Sequence, residues 1–231
     1  MQQVLNQQSS TSTSKADVLS NDEIIRGLKG ALEKGTEFAV SNLSSEGGFL
    51  KNELLKIGLP KEAKPIYERI EKVQILEVLL KNAVVSVNRA AEDASIAAKP
   101  IFVQAIQEMT IKDGMQILRG SDSAATNYLK DKTWDNLYKE FKPKIEASLS
   151  KTFVGEVSAE RTYSEAINNY NKASLNGILW KKIENNSLAE HTTQMALKGL
   201  FTKLAEEEKE IRKDPTHRVT DILKRVFGWQ F

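Results

Sequence analysis

The sequence predicts an all-α fold, a single-domain, irregular multi-helix bundle of about seven to nine helices with no substantial sheet, and three observations carry that expectation. From Ser20 onward apolar residues recur every three to four positions, the spacing that lines one face of a helix. No alternation of apolar and polar residues runs longer than four positions, so strands have no pattern to form on. Glycine and proline number only 12 and 5 in 231 residues, too few breakers for a chain of short elements. Residues 1–18 stand apart: Gln2, Gln3, Gln7 and Gln8 lead into a Ser/Thr run from Ser9 to Ser14, with too little apolar surface to offset the entropy of ordering it. The expected organisation is a disordered tether over 1–18 and one helical domain over 19–231.

The elements follow in order. Ser20 and Glu23 form a capping box, and Ile24, Leu28, Ala31, Leu32, Phe38 and Ala39 continue a helix of about seven turns to the stop at Gly47 and Gly48. Gly27, Ala31 and Gly35 fall four apart within it, a stripe of minimal side chains that suits close approach of another helix. The partner expected for it is the segment from Ile66 to Ala98, whose face carries Val73, Leu76, Leu80, Ala83, Val87, Ala91, Ala94 and Ala98. Pro100 separates that segment from a helix on Phe102, Ala105, Ile106 and Met109. Thr110 with Asp113 boxes the start of a short helix ending at Gly120, and Asp122 is positioned to cap the next. Trp134, Leu137, Tyr138, Phe141 and Ile145 mark a further helix with a kink expected at Pro143. The stretch from Val154 to Ile183, Asn-rich in its middle, reads as helical with a loop or insertion. Ser187 with Glu190 starts a helix to about Arg212, and Asp214-Pro215 starts the last, ending at Gly228.

Charge and composition exclude several chemistries. Thirty-three basic residues against thirty-one acidic ones leave +2 with the signs interspersed, so the basic field that nucleic acid demands is missing and no nucleic-acid partner is expected. Without cysteine there are no disulfides, thiolate nucleophiles or zinc knuckles. His191 and His217 lie 26 positions apart, outside any ligand spacing, and no nucleophile elbow or phosphate loop is present. Neither a metal nor a cofactor is expected, and no catalytic residue is assigned. No apolar run approaches the roughly 20 residues of a membrane span, and the start shows no charged region followed by an apolar one, as a signal peptide would.

A few polar positions remain as candidates for a groove or a network. Glu208 lies within the stripe Leu197, Leu200, Phe201, Leu204, Ala205 and Ile211, and a carboxylate facing a core needs a partner. Arg212, one turn on, and Arg218 are the available ones. The choice is between a buried ion pair locking the last helices and a binding or catalytic carboxylate. Asn88, Arg89 and Glu92 flank the alanine stripe and suit the rim of a groove as well as a solvated helix edge. With Asp113 and Asp221 added, the binding candidates are Asn88, Arg89, Glu92, Asp113, Glu208, Arg212, Arg218 and Asp221.

Several blocks in fixed order carry a resemblance. Asn88-Arg89-Ala90-Ala91-Glu92, Pro100-Ile101-Phe102, Met109-Thr110-Ile111, Ile117-Leu118-x-Gly120, Ala124-Ala125-Thr126-x-Tyr128-Leu129, Ala196-Leu197-x-Gly199-Leu200-Phe201, Ala205-Glu206-Glu207-Glu208, Ile211-Arg212, Thr220-Asp221 and Val226-Phe227-Gly228 resemble the bacterial family catalogued as domain of unknown function 4197, from about Leu19 to Gly228. The resemblance implies export. Members of that family look like envelope proteins, many with a lipoprotein cysteine just before a Gln-rich stretch like Gln2-Gln3-Val4; here Met1 stands in its place. The expectation is therefore a periplasmic or outer-membrane-anchored lipoprotein in its mature form, touching the membrane only through an N-terminal lipid anchor absent from this chain. No activity accompanies the resemblance. Two functions are expected from the residues: a non-enzymatic binding or scaffold module holding a small apolar ligand, a peptide or an envelope protein between its helices, or a hydrolase-like enzyme using Glu208 with Arg212 or Arg218 and a second acid.

Overall fold

A computed structural model describes residues 20–70, 74–154, 157–184, 186–213 and 224. Its first helix, α1 (Asn21–Ser44), opens with the expected box: the Ser20 hydroxyl accepts from the Glu23 amide at 3.3 Å, and the Glu23 carboxylate accepts from the Ser20 amide at 2.8 Å. A compact turn and a single 3-10 turn (Lys61–Ala63) lead to α2 (Lys64–Ile70) and α3 (Gln74–Ser95). Then follow α4 (Ala98–Gln107), α5 (Ile111–Arg119), α6 (Ala124–Leu149), α7 (Ala159–Ala173) and α8 (Leu188–Lys213). Between α6 and α7 the chain makes a minimal antiparallel ribbon, β1 (Thr152–Val154) with β2 (Val157–Ser158), Thr152 opposite Ser158 and Val154 opposite Val157 with an irregularity between. The fold is all-α.

Helix α3 sits at the centre, against α6, α7, α8 and α1. Its small side chains explain that position, because Ala83, Ala90, Ala91 and Ala94 are fully buried and let neighbouring helices close in on several sides. Around it pack Leu137, Phe141, Ile145 and Leu149 of α6, Tyr163 and Ile167 of α7, and Leu197, Leu200 and Leu204 of α8. Phe201 meets Phe102 edge-on, with ring centroids 6.0 Å apart.

Three local expectations are corrected. Two of the three positions in the Gly27, Ala31, Gly35 stripe do not look to the alanines of α3: Ala31 and Gly35 line a small cavity with Ala125, Leu129, Leu204 and Ile211, toward α6 and α8. Among the described residues a Cβ on Gly35 would meet only Ile211 Cδ1, at an ordinary 3.5 Å. The helices proposed to start at Asp122 and at Trp134 are one, α6, because no breaker lies between Leu129 and Trp134 and the Thr133 hydroxyl turns back onto the Leu129 carbonyl. Pro143 lies inside that helix on an exposed position, where the carbonyl its ring leaves unpaired is open to water. Asp122 does not cap α6. It pairs instead with Lys213 at 3.0 Å, and the N-cap residue, Ser123, makes no side-chain cap bond. The helix expected after Asp214-Pro215 lies outside the described residues.

A close approach that glycine does permit is at Gly199 of α8. An added Cβ there would stand 2.6 Å from Cε1 of Phe49, a fully buried ring. Alanine is the better helix former by about 1 kcal/mol, yet Gly199→Ala is expected to destabilise the protein by about 1–3 kcal/mol because the ring has nowhere to go. A Tm equal to or above wild type in thermal denaturation rejects that account.

Candidate functional site

The carboxylates and amides singled out in the sequence prove to hold backbone together. Glu208, 8 % exposed, reaches from α8 to the start of α6: Oε1 accepts from the Ala125 amide (3.0 Å), Oε2 from the Thr126 amide (2.8 Å) and the Thr126 hydroxyl (2.8 Å). These are amides that a helix N-terminus leaves unsatisfied, and a negative group is favoured at that end of the helix dipole. Arg212 completes the arrangement, with Nε and Nη2 at 2.9 and 2.8 Å from Glu208 Oε1 and Nη2 donating to the Ile117 carbonyl near the C-terminal end of α5 (2.9 Å). One ion pair thus caps two helices, with matching sign at each.

Glu92 and Asn88 act likewise on the segment after α1. Glu92 Oε1 accepts from the amides of Phe49 and Leu50 at 3.1 and 3.3 Å. Asn88, fully buried, pairs with both backbone groups of Ile57, accepting from its amide at 2.9 Å and donating to its carbonyl at 2.8 Å. Arg89 is exposed and faces Glu46 at 3.5 Å. Asp113 completes the box with Thr110, whose hydroxyl and amide hold its carboxyl below the usual aspartate range. The structure therefore brings Glu208 and Arg212 together and Asn88 beside Glu92, but on backbone. Arg218 and Asp221 lie outside the described residues.

The device recurs where the sequence showed no sign of it. Asn171 at the end of α7 binds the Ile183 amide (2.9 Å) and carbonyl (2.8 Å) as Asn88 binds those of Ile57. At the start of α8 the Ser187 hydroxyl accepts from the Glu190 amide (3.3 Å), half of the expected box. Glu160 of α7 lies against the backbone of Leu188 and Ala189 at the same helix start. Burial raises the Glu160 pKa above the ordinary glutamate value, outweighing the pull of the neighbouring Leu188 and Ala189 backbone, and among the described residues the buried Oε2 has no hydrogen-bond partner. The folded protein thus holds this proton more tightly than the unfolded chain does. Its contribution to stability is complete below the ordinary glutamate pKa and is lost as pH rises through the raised folded-state value. Glu160→Gln removes that titration, so the Tm of the variant minus that of wild type should increase from acid to neutral pH; a constant difference would show that Glu160 titrates normally.

An open groove lies between α6 and α8. The cavity between α1, α6 and α8 holds about 30 Å³, room for little more than a water, whereas the α6–α8 groove encloses about 620 Å³. Its floor is aromatic: Trp134 stacks on Phe201 with centroids 5.8 Å apart, and Met195 lies beside them. Lys130 and Lys198 flank the floor, Lys130 Nζ standing 5.4 Å from the Trp134 ring centroid. Neither lysine has a carboxylate within ion-pair distance among the described residues. At one end Tyr138 donates to Glu190 in a short hydrogen bond, Lys142 sits 3.1 Å from the same carboxylate, and Gln194 donates to its other oxygen at 2.8 Å. The Tyr138 hydroxyl and then Lys142 keep the Glu190 pKa low, while Glu190 raises those of Tyr138 and Lys142. Near neutral pH the cluster is a carboxylate, an ammonium and a neutral phenol, a fixed polar end wall.

These residues were not assigned a role from sequence, where Trp134 and Tyr138 read as part of an apolar helix face. A signal was present: Lys130, Trp134, Tyr138 and Lys142 recur every four positions, as do Gln194, Lys198 and Thr202, each forming a row beside the buried one. That the two rows face each other is settled only by the packing of α6 on α8.

Among the described residues no helix is long and apolar enough to cross a membrane, and no three His, Asp or Glu side chains gather as a metal site would need. No curated protein and no solved structure is similar enough to lend this chain a function. A family model does match, over residues 18–228 of 231, nearly the whole chain and all of the helical body. The chain belongs to the family described as "Protein of unknown function (DUF4197)".

Proposed function

We propose that this protein is a non-enzymatic binding module of the cell envelope whose ligand lies in the α6–α8 groove. The observation that carries the reading is the contrast between its polar groups. Glu208, Glu92 and Asn88 are committed to backbone groups, whereas Lys130 and Lys198 flank an aromatic floor in an open cleft of about 620 Å³. That cleft is of the size and mixed character of small-molecule sites. A flat or apolar body is accommodated on Trp134 and Phe201, and an anionic end is met by the lysines. A hydrolase using Glu208 would need a carboxylate oxygen open to substrate, and both of its oxygens already accept hydrogen bonds.

Native mass spectrometry of the full chain purified from its own cells tests the groove. Wild type is expected to retain a small bound mass that both Trp134→Ala and Lys198→Ala lose. A wild-type chain without one, or a mass kept by both variants, overturns the assignment. The envelope location rests on the family resemblance and on the Gln-rich N-terminal stretch, and fractionation of cells making the protein from its own gene checks it: a cytosolic pool alone rejects it.

A further inference from the structure

The turn that follows α7 is firmly built yet carries its apolar side chains outward. Asn171 ties its base to Ile183, and the buried Ser174 hydroxyl donates to the Asn171 carbonyl (2.7 Å) while accepting from the Gly177 amide (2.9 Å). The amides of Asn176 and Leu179 close the turn on the carbonyls of Asn171 and Ser174 at 2.9 and 3.0 Å. Leu175 (φ 50), Asn176 (φ 55) and Gly177 (φ 106) take the left-handed conformation in succession. For a bulky side chain such as Leu175 that conformation is costly, and strain of this kind persists where the surroundings enforce it and concentrates at functional sites.

What the turn presents is a cluster of bare aliphatic side chains: Leu175 is 56 % exposed, Ile178 80 % and Leu179 60 %. Trp180 follows, half-buried and packed against Tyr170 with centroids 5.8 Å apart. Lys172, Lys181 and Lys182 flank them, all exposed, and none is in an ion pair among the described residues. Glu184 is the one acid between residues 171 and 184.

We propose that residues 175–180 form a membrane-docking tip, which inserts Leu175, Ile178 and Leu179 among the lipid chains of an anionic bilayer while Lys172, Lys181 and Lys182 pair with its phosphates. Aliphatic side chains backed by a basic collar match an anionic interface, where burial of apolar area and attraction of lysines to the surface add. A tryptophan at the base suits the headgroup level. A protein partner fits less well, since a stable interface takes roughly 800 Å² from each side and this tip is a few protruding side chains with charged residues next to them. The inference is independent of the α6–α8 groove.

Sedimentation of the full chain with vesicles of phosphatidylcholine, with and without phosphatidylglycerol, tests it. Wild type is expected to pellet with the anionic vesicles and to be released as salt is raised. Ile178→Ser/Leu179→Ser should weaken that binding about tenfold or more through the lost insertion, and Lys181→Gln/Lys182→Gln should weaken it by several fold and flatten the salt dependence. Both changes are on exposed positions, and circular dichroism verifies that the variants fold. Wild type that stays in the supernatant with anionic vesicles, or an Ile178→Ser/Leu179→Ser variant that binds like wild type, overturns the proposal. A tip that instead governs self-association, read as a change in oligomeric mass between wild type and Ile178→Ser/Leu179→Ser in lipid-free buffer without vesicle binding, overturns it in favour of a protein contact.

Discussion

Glu208→Ala is expected to lower the free energy of unfolding by about 3–5 kcal/mol, the range seen when one partner of a buried ion pair is removed. Several losses coincide. Arg212, only 12 % exposed at its side chain, loses its ion pair with Glu208, and the Ala125 and Thr126 amides lose their acceptor at the start of α6. Urea midpoints are the measurement. Glu208→Gln should fall between wild type and Glu208→Ala, because an amide oxygen can still accept from one of the amides while the charge opposite Arg212 is gone. A midpoint for Glu208→Ala within error of wild type would mean that α6 is capped by other means.

Asn88→Leu comes next in size, at about 2–5 kcal/mol. Leucine keeps the branched outline of the side chain, with more bulk, but offers nothing to the amide and carbonyl of Ile57, and each buried backbone group left unsatisfied costs about 1–3 kcal/mol. The same substitution at Asn171 should behave alike, since that side chain makes the same pair of bonds to Ile183. Hydrogen exchange gives the sharper readout: the Ile57 amide should lose protection in Asn88→Leu by more than the global loss of stability accounts for, and equal loss at all core amides would reject the local role. In both variants a buried polar side chain acts as a piece of backbone, fastening a segment that has no regular partner of its own.

Much of this architecture is legible in the residues themselves. The boxes at Ser20 and Thr110 form as read, because a capping box involves only four consecutive positions and owes nothing to the rest of the fold. The apolar rows of α3, α6 and α8 are the buried ones, because spacing along a helix determines which side chains share a face. Asp122 fails as a cap for a reason of the opposite kind. A carboxylate 82 and 83 positions away along the chain occupies the amides at the start of α6, and no local rule reports on it. Ala31 and Gly35 of α1 mark a place nearly without side chains, yet only the packed helices show that residues of α6 and α8 lie across them.

Helical class, approximate helix positions, the absence of cysteine chemistry and the family all follow from the order of residues, since each depends on neighbours within a few positions or on counting. The partners of Glu208, Glu92, Asn88 and Asn171, the groove of α6 against α8, and the outward set of Ile178 and Leu179 exist only once distant segments have packed. Burial is the reason: it takes water away from backbone groups and so compels particular side chains to serve them, while others are left at the surface.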